Sequence, residues 1–120
     1  MILADYEAYC LSLPAATLVV QWRDTHVYKV GGKMFAIAGE TDEGGLGGYA
    51  FKASGMAYEL LIEHGLARPA PYLARARWVS LRARDALSDL DLQAYLRQAH
   101  SLVAARLTRV QRKALGLAPG

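Results

Sequence analysis

The chain has 120 residues, 53% of them hydrophobic and 21% charged, with one cysteine, Cys10, and a formal net charge of +3. That length suits one domain over residues 1–120 with a core of its own; the hydrophobic share excludes a disordered chain, and a lone cysteine excludes an internal disulfide framework or a cysteine-based zinc site. The +3 conceals an asymmetry: residues 1–64 carry eight acidic side chains against four basic ones, a net of −4, and residues 65–120 carry ten basic against three acidic, a net of +7.

Residues 4–12 read as a short helix. Leu3, Tyr6, Cys10 and Leu13 recur at three and four residues to make one apolar stripe, Asp5 stands where a cap is expected, and Pro14 stops the run. Cys10 on that stripe reads as a small buried hydrophobe. Thr17–Trp22 is β-branched and aromatic and predicts a strand, followed by a turn at Arg23-Asp24-Thr25, a second strand His26–Val30 and a third Lys33–Ala38. Gly31-Gly32 supplies the positive φ of a two-residue hairpin loop. That register sets Val30 opposite Lys33, Tyr28 opposite Phe35 and His26 opposite Ile37, with Tyr28 and Phe35 as an aromatic cross-strand pair.

Residues 39–48 read as a loop, and Tyr49–Ala53 as a fourth strand. Ser54 is an N-cap candidate for a helix carrying Met56, Leu60, Leu61 and His64, closed by Gly65. Arg68-Pro69-Ala70-Pro71 is expected to be extended, and Arg77–Arg82 to be a fifth strand. Ser88 or Asp89 caps a longer helix with Leu92, Tyr95, Leu96, Ala99, Leu102 and Val103 on its apolar face; Thr108 breaks and restarts it, and Gly116 ends it. The order α-β-β-β-β-α-β-α gives an α+β fold: an antiparallel sheet of about five strands with helices on one face.

No apolar run reaches the roughly 18 residues that cross a bilayer. The acidic start, with Asp5 and Glu7, lacks the positive region of a secretory signal, so the expected compartment is the cytoplasm and no membrane partner is expected. His26, His64 and His100 sit on separate elements without metal-ligand spacing, so no metal is expected. Cys10 faces the core, where a thiolate is disfavoured, so no Cys–His nucleophilic pair is expected. Gly44–Gly48 leads into a strand and lacks the Lys-Ser/Thr of a phosphate loop. The paired carboxylates Asp42-Glu43 and Asp89-Asp91 fall in a loop and at a helix start, where nothing separates their pKa values. No residues speak for an enzyme or a cofactor.

The chemically loaded segment is 68–84, with Arg68, Arg75, Arg77, Arg82 and Arg84 around Tyr72 and Trp78. Guanidinium forks suit phosphate, and interleaved rings suit base stacking. In a strand, Arg75 and Arg77 share one face and Arg82 and Arg84 the other, with Trp78 opposite Arg77. The later run Arg106, Arg109, Arg112 and Lys113 lies at a helix C-terminus, where positive charge is favourable on dipole grounds alone.

The stretches CLSLPAAT, VYKVGGKMFAI, FKAS and PAPYLARARWVSL, followed by a long C-terminal helix, resemble the MmcQ/YjbR-like family over roughly residues 5–115. The resemblance implies an α+β fold similar to secretion chaperones and related to TfoX N-terminal domains, and a DNA-binding label resting on a double-wing arrangement of hairpins. Many members carry a Tyr-His-Met-Asn-type segment before the tryptophan. This chain has Tyr72-Leu73-Ala74-Arg75-Ala76-Arg77 there, so a role for that histidine does not carry over.

Three functions follow as expectations. In the first, Lys29, Lys33, Arg75, Arg77, Arg82 and Arg84 contact nucleic-acid phosphates and Tyr72 and Trp78 stack on bases. In the second, an open sheet face or edge strand serves a protein partner, a second copy included. In the third, Tyr49, Tyr72, Trp78 and His26 form a small-molecule site or an enzyme's active site, though without a nucleophile–base pair.

Overall fold

Val30 faces Lys33 across Gly31-Gly32, as the spacing predicts, and both glycines hold positive φ, 59° and 79°. The structure, a computed structural model, describes residues 1–21, 25–39, 48–70 and 73–117. Its elements are α1 (Leu3–Ser12), β1 (Ala16–Gln21), β2 (Thr25–Val30), β3 (Lys33–Ala38), β4 (Tyr49–Lys52), α2 (Gly55–Glu63), β5 (Ala67–Pro69), a 3-10 turn (Ala74–Ala76), β6 (Trp78–Leu81), α3 (Asp89–Ala104) and α4 (Arg109–Ala114). Six strands pair antiparallel in the order β1-β2-β3-β4-β6-β5.

The extra strand relative to the sequence expectation is β5. Proline removes a ladder donor, so a proline-bearing segment survives in a sheet at its edge, and β5 occupies that edge against β6. The hairpin register also differs beyond the turn. Tyr28 faces Ala36 rather than Phe35, and His26 faces Ala38 rather than Ile37, because the register shifts between Tyr28 and Lys29. An extra residue on one strand of a pair is a β-bulge. It turns both Phe35 and Ala36 toward the helix-side core and leaves Met34 and Ile37 on the other side.

The helix starts obey capping chemistry, with one exception. The Ser54 hydroxyl accepts from the Ala57 amide at 3.1 Å and Ser88 from Asp91 at 3.2 Å, and Thr108 and Gln111 close a reciprocal capping box. In α1 the N-cap is Ile2 and has no side-chain cap; Asp5 sits inside the first turn, where its charge favours the helix end.

The main core lies between the sheet and the helices and centres on Tyr6. This residue is fully buried, stacks on Tyr49 at 4.0 Å, and donates its hydroxyl toward the carbonyls of Ile37 (3.1 Å) and Ala50 (3.3 Å). Around it pack Cys10, Tyr28, Phe35, Phe51, Val79, Leu92 and Leu96. The opposite sheet face is not bare. Val27, Ile37, Ala50, Ala70 and Trp78 form a second, smaller apolar cluster there, flanked by Met34 and Leu73.

Candidate nucleic-acid interface

Arg75 and Arg77 do not lie on a strand. Arg75 is in the 3-10 turn, and Arg77 ends that turn in the left-handed conformation (φ 59°, ψ 39°), so β6 begins only at Trp78. The alternation expected for Arg75 to Arg84 therefore does not apply. What fixes Arg77 is the adjoining strand: Lys52 pairs with Trp78, and the Ala53 amide donates to the Arg77 carbonyl at 3.0 Å. The Arg77 guanidinium then lies over the start of α2. A Cβ at Gly55 would stand 3.3 Å from Arg77 Nε, so the glycine leaves the room this approach uses.

Antiparallel pairing decides which cations share an end of the sheet. The start of β3, the end of β4 and the start of β6 coincide. Lys33 and Lys29 flank the β2–β3 turn at that end, and Lys52, Arg75 and Arg77 follow on the neighbouring elements. The end of α3 is there too, since a Cβ on Gly31 would meet the Leu107 side chain at 2.7 Å. Arg106 precedes that leucine. Its proximity is felt electrostatically: partial burial, then the Arg106 and Arg77 charges, lower the pKa of Lys52 from its ordinary value. Lys52 Nζ also donates to the Ala76 carbonyl at 2.8 Å, which ties β4 to the 3-10 turn. Among the described residues, none of Lys29, Lys33, Lys52, Arg75, Arg77 and Arg106 is ion-paired to a carboxylate.

Arg82 and Arg84 lie elsewhere. They follow the far end of β6, and a strand advances about 3.3 Å per residue, which puts Arg82 roughly 16 Å from Arg77 along the chain direction. Arg84 is also occupied: Nη2 donates to the Gly39 carbonyl at 3.1 Å and the guanidinium covers the Tyr49 ring at 5.2 Å. Trp78 is only 4% exposed within the second apolar cluster, so its ring is not offered to a base. Tyr72 lies outside the described residues. Lys52 and Arg106 are the cations that sequence reasoning missed. Lys52 hides in an apolar strand, and the helix-dipole argument accounted for Arg106 without a partner.

The small-molecule grouping does not assemble. Tyr49 faces the helices and Trp78 the opposite side of the sheet. His26 is engaged with α1, its Nδ1 2.6 Å from Glu7 Oε1, which also accepts the Tyr28 hydroxyl at 3.2 Å. His100 Nε2 lies 2.7 Å from the Pro14 carbonyl, and His64 is exposed at the end of α2. Burial, then the Glu7 charge, push the Cys10 thiol well above its usual range. Among the described residues no three of His, Cys, Asp and Glu stand together as a metal site, and no helix is long and apolar enough to cross a membrane.

No curated protein matches the chain significantly. Among solved structures, the crystal structure of Deinococcus radiodurans protein DR2400, with the domain DUF419, superposes with a TM-score of 0.78 at 24% identity, covering 96% of this chain and 88% of that one. That likeness is one of fold. The YjbR family model matches residues 11–102, from the last turn of α1 through most of α3. The match takes in the hairpin and the 3-10 turn and stops short of Arg106. The chain belongs to the YjbR family.

Proposed function

We propose that the protein binds nucleic acid through the basic end of its sheet, by contacts to the phosphate backbone. The observation that carries this reading is that the Arg106 and Arg77 charges help lower the Lys52 pKa, with Lys29, Lys33 and Arg75 at the same end of the sheet and no carboxylate paired to any of the six among the described residues. Like charges gathered at one place cost folding energy, and an anion recovers it. The start of α2 adds its backbone amides and dipole to the same end. Arg82 and Arg84 are not part of this interface. Phosphate contacts orient a duplex without reading its sequence, so the binding is sequence-independent and salt-sensitive.

Fluorescence anisotropy with a labelled mixed-sequence duplex, titrated at several salt concentrations, tests the reading. Affinity falls as salt rises. Lys52→Ala, Arg77→Ala and Arg106→Ala each weaken binding and flatten the log–log salt slope by about 1. Arg82→Ala leaves both unchanged. Absence of measurable affinity at low salt sinks the proposal, and so does a slope that none of the three substitutions alters.

A further inference from the structure

The two edges of the sheet differ in a way that points to a partner. The β5 edge has three residues and carries Arg68 and Pro69, the kinds of feature that block a further strand. The β1 edge has six residues, Ala16-Thr17-Leu18-Val19-Val20-Gln21, with no charge and no proline. Three consecutive apolar side chains on it are open to solvent: Leu18 is 37% exposed, Val19 38% and Val20 53%. Pairing with β2 puts Leu18 and Val20 on the face of Tyr28 and His26, toward α1, and Val19 on the face of Val27. Leu11, 39% exposed, adds a further apolar side chain from α1. It stands one helical turn beyond Glu7, whose carboxylate reaches His26 and Tyr28, so it lies on the side of α1 turned to these strands.

We infer that β1 is the seam of a homodimer, in which two copies pair β1 with β1 antiparallel and continue one sheet into the other. An antiparallel pair of identical strands is related by a two-fold axis, so one uncharged strand supplies both halves of the contact. With the axis beside Val19, Val19 meets its own counterpart and Leu18 lies opposite Val20 of the second copy, apolar against apolar on both faces. A strand from an unlike partner would need no such symmetry, and the uncharged edge gives no charge pattern with which to select one. A single six-residue edge is small beside the roughly 1,600 Å² of a standard interface, so the dimer is concentration-dependent rather than obligate.

Analytical ultracentrifugation of the full chain over a range of concentrations decides this. The wild type shifts from the chain mass toward twice that mass as concentration rises. Amide exchange slows with concentration across residues 16–21. Val20→Lys on one face and Val19→Lys on the other each raise the dissociation constant by about tenfold or more, since a lysine on an edge strand opposes pairing. Arg68→Glu at the far edge leaves it unchanged. A wild type that stays monomeric overturns the inference and leaves the edge for a strand of another protein. A dimer that neither lysine weakens overturns it as well, because its seam is then elsewhere.

Discussion

Cys10 illustrates how far one side chain can be understood from its neighbours. Its place on the stripe with Tyr6 and Leu13 marked it as a core residue, and it is fully buried. Two effects then silence it chemically. Burial disfavours the thiolate most, and the Glu7 carboxylate opposes a second negative charge nearby. Since the thiolate is the nucleophile, Cys10 in the folded protein is expected to react with an aromatic disulfide reagent at least about a hundredfold more slowly than in denaturant. Stopped-flow absorbance in native buffer and in guanidinium measures the two rates. Equal rates would mean that the thiol is reached without unfolding. Asp5, on the same helix, was less legible. A carboxylate near a helix start fits a cap or a first-turn position equally well, and the choice rests on where the backbone leaves helical geometry, at Ile2.

The β2–β3 hairpin shows the same division at the scale of an element. Its turn was readable because two consecutive glycines tolerate φ values that other residues avoid. Its bulge was not, because Met34, Phe35, Ala36 and Ile37 are all apolar and fit either register. The structure favours the one that fills both faces, since the sheet carries a second cluster around Trp78 that no alternation in the sequence announced. The arginine segment failed for a related reason: Arg75 to Trp78 reads as extended by spacing, yet the chain turns at Arg77 in a left-handed conformation. The turn itself makes a prediction. Gly32→Ala has open space around it and costs only backbone strain, on the order of 1 kcal/mol. Gly31→Ala has the same strain and also drives a methyl into the buried Leu107 side chain, so it costs about 1 kcal/mol more. Denaturant unfolding of the two variants measures the difference, and equal stabilities would remove Leu107 from the account.

For the whole molecule, the −4 and +7 halves of the sequence do not become two halves of the structure. Lys29, Lys33 and Lys52 come from the acidic half and stand with Arg75, Arg77 and Arg106 at one end of the sheet. The other end holds Arg82 and Arg84 with Asp85 and Asp89, the last 3.5 Å from the terminal ammonium. Linear charge was therefore a poor guide to where the cations gather, because antiparallel strands bring residues of distant number to one end. If two copies join through β1, their strands run in opposite directions, so their basic ends point away from each other and the proposed phosphate contacts of the two copies stand apart. Lys52 offers a probe of one such end. Its pKa is lowered in the free protein by burial and by two like charges, so its proton is lost at lower pH than in an exposed lysine. A phosphate nearby favours the ammonium and raises that pKa, so binding takes up a proton between the two values. Affinity then falls as pH rises through the lowered Lys52 value, by about fivefold, the equivalent of roughly 1 kcal/mol for a charge pair at contact in water. Lys52→Arg keeps the charge at every pH used and is expected to hold its affinity where the wild type loses it. Anisotropy titrations from neutral to alkaline pH at fixed ionic strength compare the two, and parallel curves would show that Lys52 does not meet the phosphate.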